Sequence, residues 1–226
     1  MTNSNQSLLE GLLPASVKWS ALRLEEGAPV AFCFPEEAAA VEGAIEKRRL
    51  EYATGRQLAH ALFEEFASAG HALSSGPLLA GSDRAPLWPA GLAGTITHTR
   101  GLCAAAVALA SDLPSLGLDV EVTAPLKEKL WPSILTISER ALLMGIGSRG
   151  ALLSKVYFSA KESVYKTVSK QAGRVLEFQE VELSVSLVKG TFTARFLDAA
   201  LAAQLPAVGG KWRVQRDFIA TSAWPR

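Results

Sequence analysis

LGLDVE at 116–121 and FSAKESVYK at 158–166 are the two stretches on which the reading of this 226-residue chain turns. The first is strand-like, with Leu118 and Val120 interleaved with two acids and Gly117 just ahead. Side chains alternate across a strand, so Asp119 and Glu121 leave one face while Val120 points to the other. The second stretch carries Phe158, Ala160, Lys161, Glu162, Tyr165 and Lys166 at helical spacing, with neither Gly nor Pro, and this predicts a helix. Glu162 and Lys166 stand at i and i+4, stacked on one face. If that helix packs beside the strand, three carboxylates and one ammonium meet at one place. Carboxylates repel at close range, and a divalent cation is the usual way to hold them together. Hard oxygen ligands with room left for phosphate and water suggest Mg2+. Taken singly, the strand acids also read as a solvated outer face. The helix pair alone also reads as a surface ion pair worth about 0.3–0.5 kcal/mol.

Composition bounds the setting. The chain is 49% hydrophobic and 20% charged with a formal charge of +1, so it reads as an ordinary soluble globular protein. No global field favours nucleic acid or an anionic membrane, and any basic site must be local. Cys33 and Cys103 lie far from any C-x-x-C spacing and suit reduced core thiols in a cytoplasmic protein, with zinc not expected on them. The opening MTNSNQSLLEGLLP lacks the basic start and long apolar core of a secretion signal, and no run has the length of a membrane span.

Along the chain, 30–34 (VAFCF) predicts a buried strand, followed by a helix from Pro35 to about residue 68. Ala38, Val41, Ile45, Tyr52, Gly55, Ala59, Leu62 and Phe66 form its apolar stripe, with Arg48 set among them. Residues 70–95 are dense in Gly and Pro and predict a loop. Strands are expected near 95–99, 102–109 and 116–122, and helices from Ser138 as N-cap and over 151–170, ending near Gly173. Strands at 178–187 and 191–197, a short helix at 198–204 and a hairpin at 211–223 close the chain. Helices followed by strands occur twice, with a seam at 111–115, which predicts an α+β fold of two halves, 1–112 and 113–226.

Together the two quoted stretches resemble the signature of the 4'-phosphopantetheinyl transferases: G-(I/V/L)-D-x-E, then, after about forty residues, (F/W)-(S/C/T)-x-K-E-(S/A)-x-x-K. Asp119 and Glu162 lie 43 positions apart and every fixed letter is present. RRLEYATGR at 48–56 resembles the R-x-x-E-x-x-x-G-R segment of the enterobactin-synthase component D type. GSDRAPLWP at 81–89 resembles a G-x-x-(R/K)-x-P-x-W-P loop, and GTITHTRG at 94–101 a G-S-(I/L)-(S/T)-H segment, with Thr95 at the commoner Ser.

The resemblance implies two similar α+β halves in a pseudo-two-fold arrangement with coenzyme A bound between them. It implies transfer of 4'-phosphopantetheine from coenzyme A to a serine of apo acyl-, peptidyl- or aryl-carrier proteins, releasing adenosine 3',5'-bisphosphate. Metal ligands would be Asp119, Glu121 and Glu162 for Mg2+. Glu162 and Lys166 would be catalytic, Glu162 as base, ligand or both. Arg48, Arg56, Arg84, Thr97, His98, Lys161 and Lys166 would contact coenzyme A. Eight positions separate Arg48 from Arg56, close to two helical turns, so the pair also reads as a fork for phosphate oxygens. A solvated face paired with Glu51 and Glu64 is the other reading. His98, between apolar strand residues, also reads as a core histidine, whereas His60 and His71 match nothing.

A monomer is expected, with no nucleic-acid partner and no membrane insertion. Siderophore, polyketide and fatty-acid carriers stay open as partners. The alternatives are a different Mg2+-dependent nucleotide enzyme, disfavoured by the absence of G-x-x-x-x-G-K-(S/T), and a non-catalytic binding module of the same fold.

Overall fold

Four leucines near the start, Leu8, Leu9, Leu12 and Leu13, are all buried, although polar residues surround them in sequence. They belong to a short helix α1 (Gln6–Leu9) and the turn after it. The structure, a computed structural model, describes residues 6–226. It divides into two compact units. Pro14–Pro114 lie in the first, while Ser115–Arg226 and Leu8–Leu13 form the second. The sequence reading gave 8–13 to the first half, and the structure corrects it. Lys211 Nζ donates to Gly11 O at 2.8 Å, Arg213 Nη1 to Glu10 O at 2.7 Å and Ser222 Oγ to Leu12 O at 2.8 Å, satisfying the turn's carbonyls.

In the first unit, β1 (Lys18–Leu22), β2 (Leu92–Thr99) and β3 (Leu102–Leu109) form an antiparallel sheet in the order β1-β3-β2. Small residues dominate the central strand, which is buried from Leu102 to Ala108. Helices α2 (Pro35–Ala39) and α3 (Glu46–Ser68) precede the hairpin, and Ala59, Leu62, Phe63 and Phe66 of α3 pack on Ala105 and Val107. Two expectations fail here. The single helix over 35–68 is broken by turns at 40–45 around Gly43, which leaves Ile45 exposed instead of in the stripe. Residues 30–34 form no strand, for the segment leans on α3, where Gln57 Nε2 donates to Ala31 O at 2.8 Å. Exposure alternates along it and leaves Cys33 exposed, not the expected core thiol, but its backbone has no ladder partner among the described strands. The third strand is β1, for which no expectation was made.

In the second unit, β4 (Gly117–Val122), β5 (Val181–Ser186), β6 (Thr191–Phe196), β7 (Val208–Gln215) and β8 (Phe218–Pro225) form an antiparallel sheet. Its order is β4-β8-β7-β6-β5, so the strand bearing both acids is an edge. Around it stand α4 (Trp131–Ile134), α5 (Ile137–Gly145), α6 (Ser148–Ala172) and α7 (Ala199–Gln204). Helix α6 buries Leu153, Val156, Tyr157, Ala160, Val164 and Val168 at spacings of three and four, and lies on β4 and β8. It stops at Gly173, whose φ of 63° gives the left-handed cap. The N-cap of α5 is Thr136, two residues before the expected Ser138, in a reciprocal capping box with Glu139. Segregated helices and antiparallel sheets make the fold α+β.

Candidate functional site

The second unit gathers the acidic residues as the strand and helix periods require. Gly117, Asp119 and Glu121 alternate along β4 on the side that meets α6. A Cβ built on Gly117 would fall 1.9 Å from Ser163 O, so the missing side chain is what lets α6 come this close. Asp119 is 6% exposed and held from both sides. Lys166 Nζ donates to its Oδ1 at 2.9 Å and to Leu118 O at 3.0 Å, while Ser159 Oγ donates to its Oδ2 at 2.8 Å. Ser159 and Ser163 also bond Thr221 Oγ1, at 3.0 and 2.6 Å, tying helix and sheet together beneath the acid. Lys155 Nζ reaches Glu121 Oε2 at 3.3 Å.

Burial pushes the Glu121 and Glu162 carboxyls above the usual carboxylate range. The charge of Asp119 raises both, Glu121 further raises Glu162, and Lys155 and Lys166 act against these effects. Three carboxylates therefore feel one another, with lysines interleaved. They are not drawn to one point: among the described residues the group of metal-ligand atoms all within 4.8 Å is elsewhere, at Cys33, Glu37 and His60. Beside Glu162 opens a groove of about 180 Å³ walled by Tyr165, Leu176 and Phe178.

The first unit presents a basic cluster. Arg48 Nη1 lies 2.8 Å from His98 Nε2 and 3.7 Å from Glu51 Oε2. A guanidinium can only donate, so His98 Nε2 accepts, and its Nδ1 proton faces Glu51 Oε2 at 3.4 Å. Glu51 is mostly buried and anchors both the Arg48 guanidinium and the His98 imidazole from one turn of α3. His98 stands near the end of β2, paired in register with Cys103, and Thr97 beside it is buried. Arg84 occupies the exposed tip of a tight turn at a φ of 66°. Asp83 Oδ1 accepts from Ala85 N at 3.0 Å, and an Ala80–Pro86 bridge closes the turn. The indole of Trp88 covers Gly94, where a Cβ would come within 2.6 Å of the ring.

Residues 36–108 match the 4'-phosphopantetheinyl transferase N-terminal domain, and residues 115–221 match the 4'-phosphopantetheinyl transferase superfamily. The chain belongs to the 4'-phosphopantetheinyl transferases. It is similar to 4'-phosphopantetheinyl transferase Svp of Streptomyces mobaraensis, with 40% identity over 199 residues, 86% of this chain and 79% of that one. It is 30% identical over 226 residues to the transferase Npt of Nocardia iowensis, covering 95% and 98% of the two chains. Enterobactin synthase component D of Salmonella typhi is 35% identical over 132 residues, 57% of this chain and 52% of that one.

Three of the positions that the transferase resemblance assigned to coenzyme A are buried: Thr97, 3% exposed, and two cations turned into the fold. Lys161 is 2% exposed. Its Nζ lies 2.7 Å from Glu139 Oε2 and donates to Ile134 O and Phe178 O at 2.8 and 2.9 Å, filling its donor capacity. Burial lowers its pKa, opposed by Glu139. Arg56 is 7% exposed, donates from Nε to Leu78 O at 3.1 Å and places its guanidinium 3.8 Å from the Tyr52 ring centroid. It therefore does not share the exposed face of Arg48. Two residues at the clusters, Ser159 and Lys155, carried no expected role, and Glu51 was expected only as a partner of a solvated cationic face. Glu51 stood in the sequence as the Glu of R-x-x-E, Ser159 as the hydroxyl of F-S-x-K-E, and Lys155 carried no signal.

Proposed function

We propose that this transferase moves 4'-phosphopantetheine from coenzyme A to a serine hydroxyl of an apo acyl-, peptidyl- or aryl-carrier protein, with Mg2+ as cofactor. The observation that carries the reading is the set of Asp119, Glu121, Glu162 and Lys166 on β4 and α6, in a chain of this family. The donor chemistry of the three carboxylates fits Mg2+: they are hard oxygens, partly desolvated, with Lys155 and Lys166 balancing their repulsion. Such an ion takes one or two carboxylates and keeps water and phosphate oxygens for the rest, so the trio need not close on one point. Bound there, Mg2+ would supply charge neutralisation at the pyrophosphate and its leaving oxygen.

The chain's own groups divide the remaining work. Glu162 takes the proton of the attacking serine. The serine oxygen forms a bond to the β-phosphorus while the bond to the departing bisphosphate oxygen breaks. Lys166, oriented by Asp119 and Leu118 O, donates to the phosphate oxygens as their charge changes. His98, Arg48 and Arg84 hold the 3'-phosphate and adenine end, with Glu51 setting the imidazole proton. The wall at Tyr165, Leu176 and Phe178 lies along the pantetheine arm. We read the working form as a cytoplasmic monomer. No described helix is long and apolar enough to cross a membrane.

Intact-mass analysis of an apo-carrier incubated with the chain, coenzyme A and Mg2+ tests this reading. A gain of one phosphopantetheinyl group is expected, lost on chelation and lost in Asp119→Asn, which keeps the acceptor for Ser159 but removes the charge. Coenzyme A binding without any mass gain would leave a binding module in place of an enzyme. Undiminished transfer under chelation would remove the metal.

A further inference from the structure

Away from both clusters, the first unit carries a site of a different chemistry. Cys33 Sγ, a Glu37 carboxylate oxygen and a His60 ring nitrogen all lie within 4.8 Å of one another, the one such group among the described residues. They come from the segment before α2, from α2 itself and from α3. We propose that these three side chains bind a transition-metal ion, Zn2+ in chemical class, as a clasp between α2, α3 and the loop at Leu78.

Glu37 gives the first argument. It has no exposed surface, and burying a carboxylate costs several kcal/mol unless its charge and both oxygens are matched. Oε1 is matched, 2.7 Å from His60 Nε2 and 2.8 Å from the Leu78 N–H that donates to it. Oε2 is equally buried and has no hydrogen-bond partner. A cation reached by this carboxylate together with sulfur and nitrogen would supply what is missing.

The donor set gives the second argument. Thiolate, imidazole and carboxylate together select a borderline ion over Mg2+ or Ca2+, which prefer all-oxygen cages. Three protein ligands with one side open match the pattern in which water or another small ligand completes a tetrahedron. Cys33 is exposed, so the site has an entry path. The imidazole is fixed in advance: Phe34 packs against it at a tilt, 5.0 Å between centroids, and Phe63 meets it edge-on at 5.4 Å. Binding replaces the thiol proton of Cys33. Leu78 would then be clamped at both backbone groups, its N–H by Glu37 and its C=O by Arg56.

Titration of the chelator-treated full chain with Co2+, in excess Mg2+, tests the proposal. A thiolate-to-cobalt charge-transfer band in the near ultraviolet is expected to saturate at one equivalent and to bleach when Zn2+ displaces the cobalt. Cys103 is fully buried, with its thiol pushed up to about 12, and does not supply that band. Cys33→Ser changes an exposed residue, so it keeps the melting temperature of the metal-free protein and loses the band. His60→Gln weakens Co2+ at least about tenfold, the lower bound seen even for partners one shell further out. Zn2+ raises the melting temperature of the parent and not of Cys33→Ser. No band in the parent, or an undiminished band in Cys33→Ser, overturns the site.

Discussion

Glu139 accepts from the Thr136 and Leu183 backbone N–H groups and from Lys161, all from a position 3% exposed. Removing the cation by Lys161→Met leaves that charge unpaired, and breaking a buried pair in this way costs about 3–5 kcal/mol. Urea unfolding should show a loss of that order, while calorimetry on the folded variant shows coenzyme A affinity near that of the parent. A large affinity loss without destabilisation would restore Lys161 to the ligand. His98 and Arg48 should behave in the opposite way. Charge-assisted contacts contribute about 1.5–3 kcal/mol each, so His98→Ala and Arg48→Ala should weaken coenzyme A by that amount and 3'-dephospho-coenzyme A far less. Equal losses for the two ligands would move these residues off the 3'-phosphate. The sequence made Arg48, His98 and the acidic trio legible as residue types at fixed spacing. It could not say that Lys161 and Arg56 point inward, because which face of a helix is covered depends on α5, on the loop at Leu78 and on other segments distant in sequence.

Helix α6 and strand β4 meet through one missing side chain. In Gly117→Ala the new Cβ would press on Ser163 O, a backbone atom that moves only with the helix. Overpacking of this kind costs about 1–3 kcal/mol and sometimes more. The shift also separates Asp119, two residues on, from Ser159 and Lys166, so stability and turnover should fall together. Gly145→Ala is the control, since nothing lies within 4 Å of its Cβ position near the end of α5. It should be neutral or stabilising by up to about 1 kcal/mol. A Gly117→Ala chain that melts and turns over like the parent would mean that the helix is not seated on the strand in this way. The periodic elements α6 and β4 were readable from the sequence, as were β3, from the strand length of its uniformly apolar run, and the closing hairpin. The break at 40–45 was not, because the stripe continues across it at nearly correct spacing. KWSAL of β1 alternates polar and apolar over only four residues, too few to announce a strand, whereas the uniformly apolar 30–34 run reads as a strand but lacks one to pair with.

On the scale of the molecule, the chain divides after Pro114, within the Ser-Asp-Leu-Pro-Ser stretch that punctuates the sequence, while Leu8–Leu13 belong to the later unit. Four leucines at helical spacing announce a buried face, but nothing local says which unit buries it. Each unit also hides one acid that resists ionisation. Burial pushes the Cys103 thiol in the first unit from an ordinary 9.0 to about 12. In the second, burial with the nearby Glu139 and Glu182 charges pushes the Tyr157 phenol from 10.0 to about 12. In the unfolded chain both ionise near their ordinary values, so in alkali the unfolded state sheds protons that the folded state keeps. The stability from these groups is complete below those ordinary values and is lost as pH rises toward about 12, by about 1.4 kcal/mol per pH unit for each group. Urea unfolding at steps between about pH 8 and about pH 11 should therefore show a falling stability. Cys103→Ala should flatten the fall from about pH 9, and Tyr157→Phe only from about pH 10, since each variant removes one proton from the balance. Other groups titrating in this range shift parent and variants alike, so the difference in slope is the readout. Identical slopes in all three chains would mean that neither the thiol nor the phenol is held neutral by its unit.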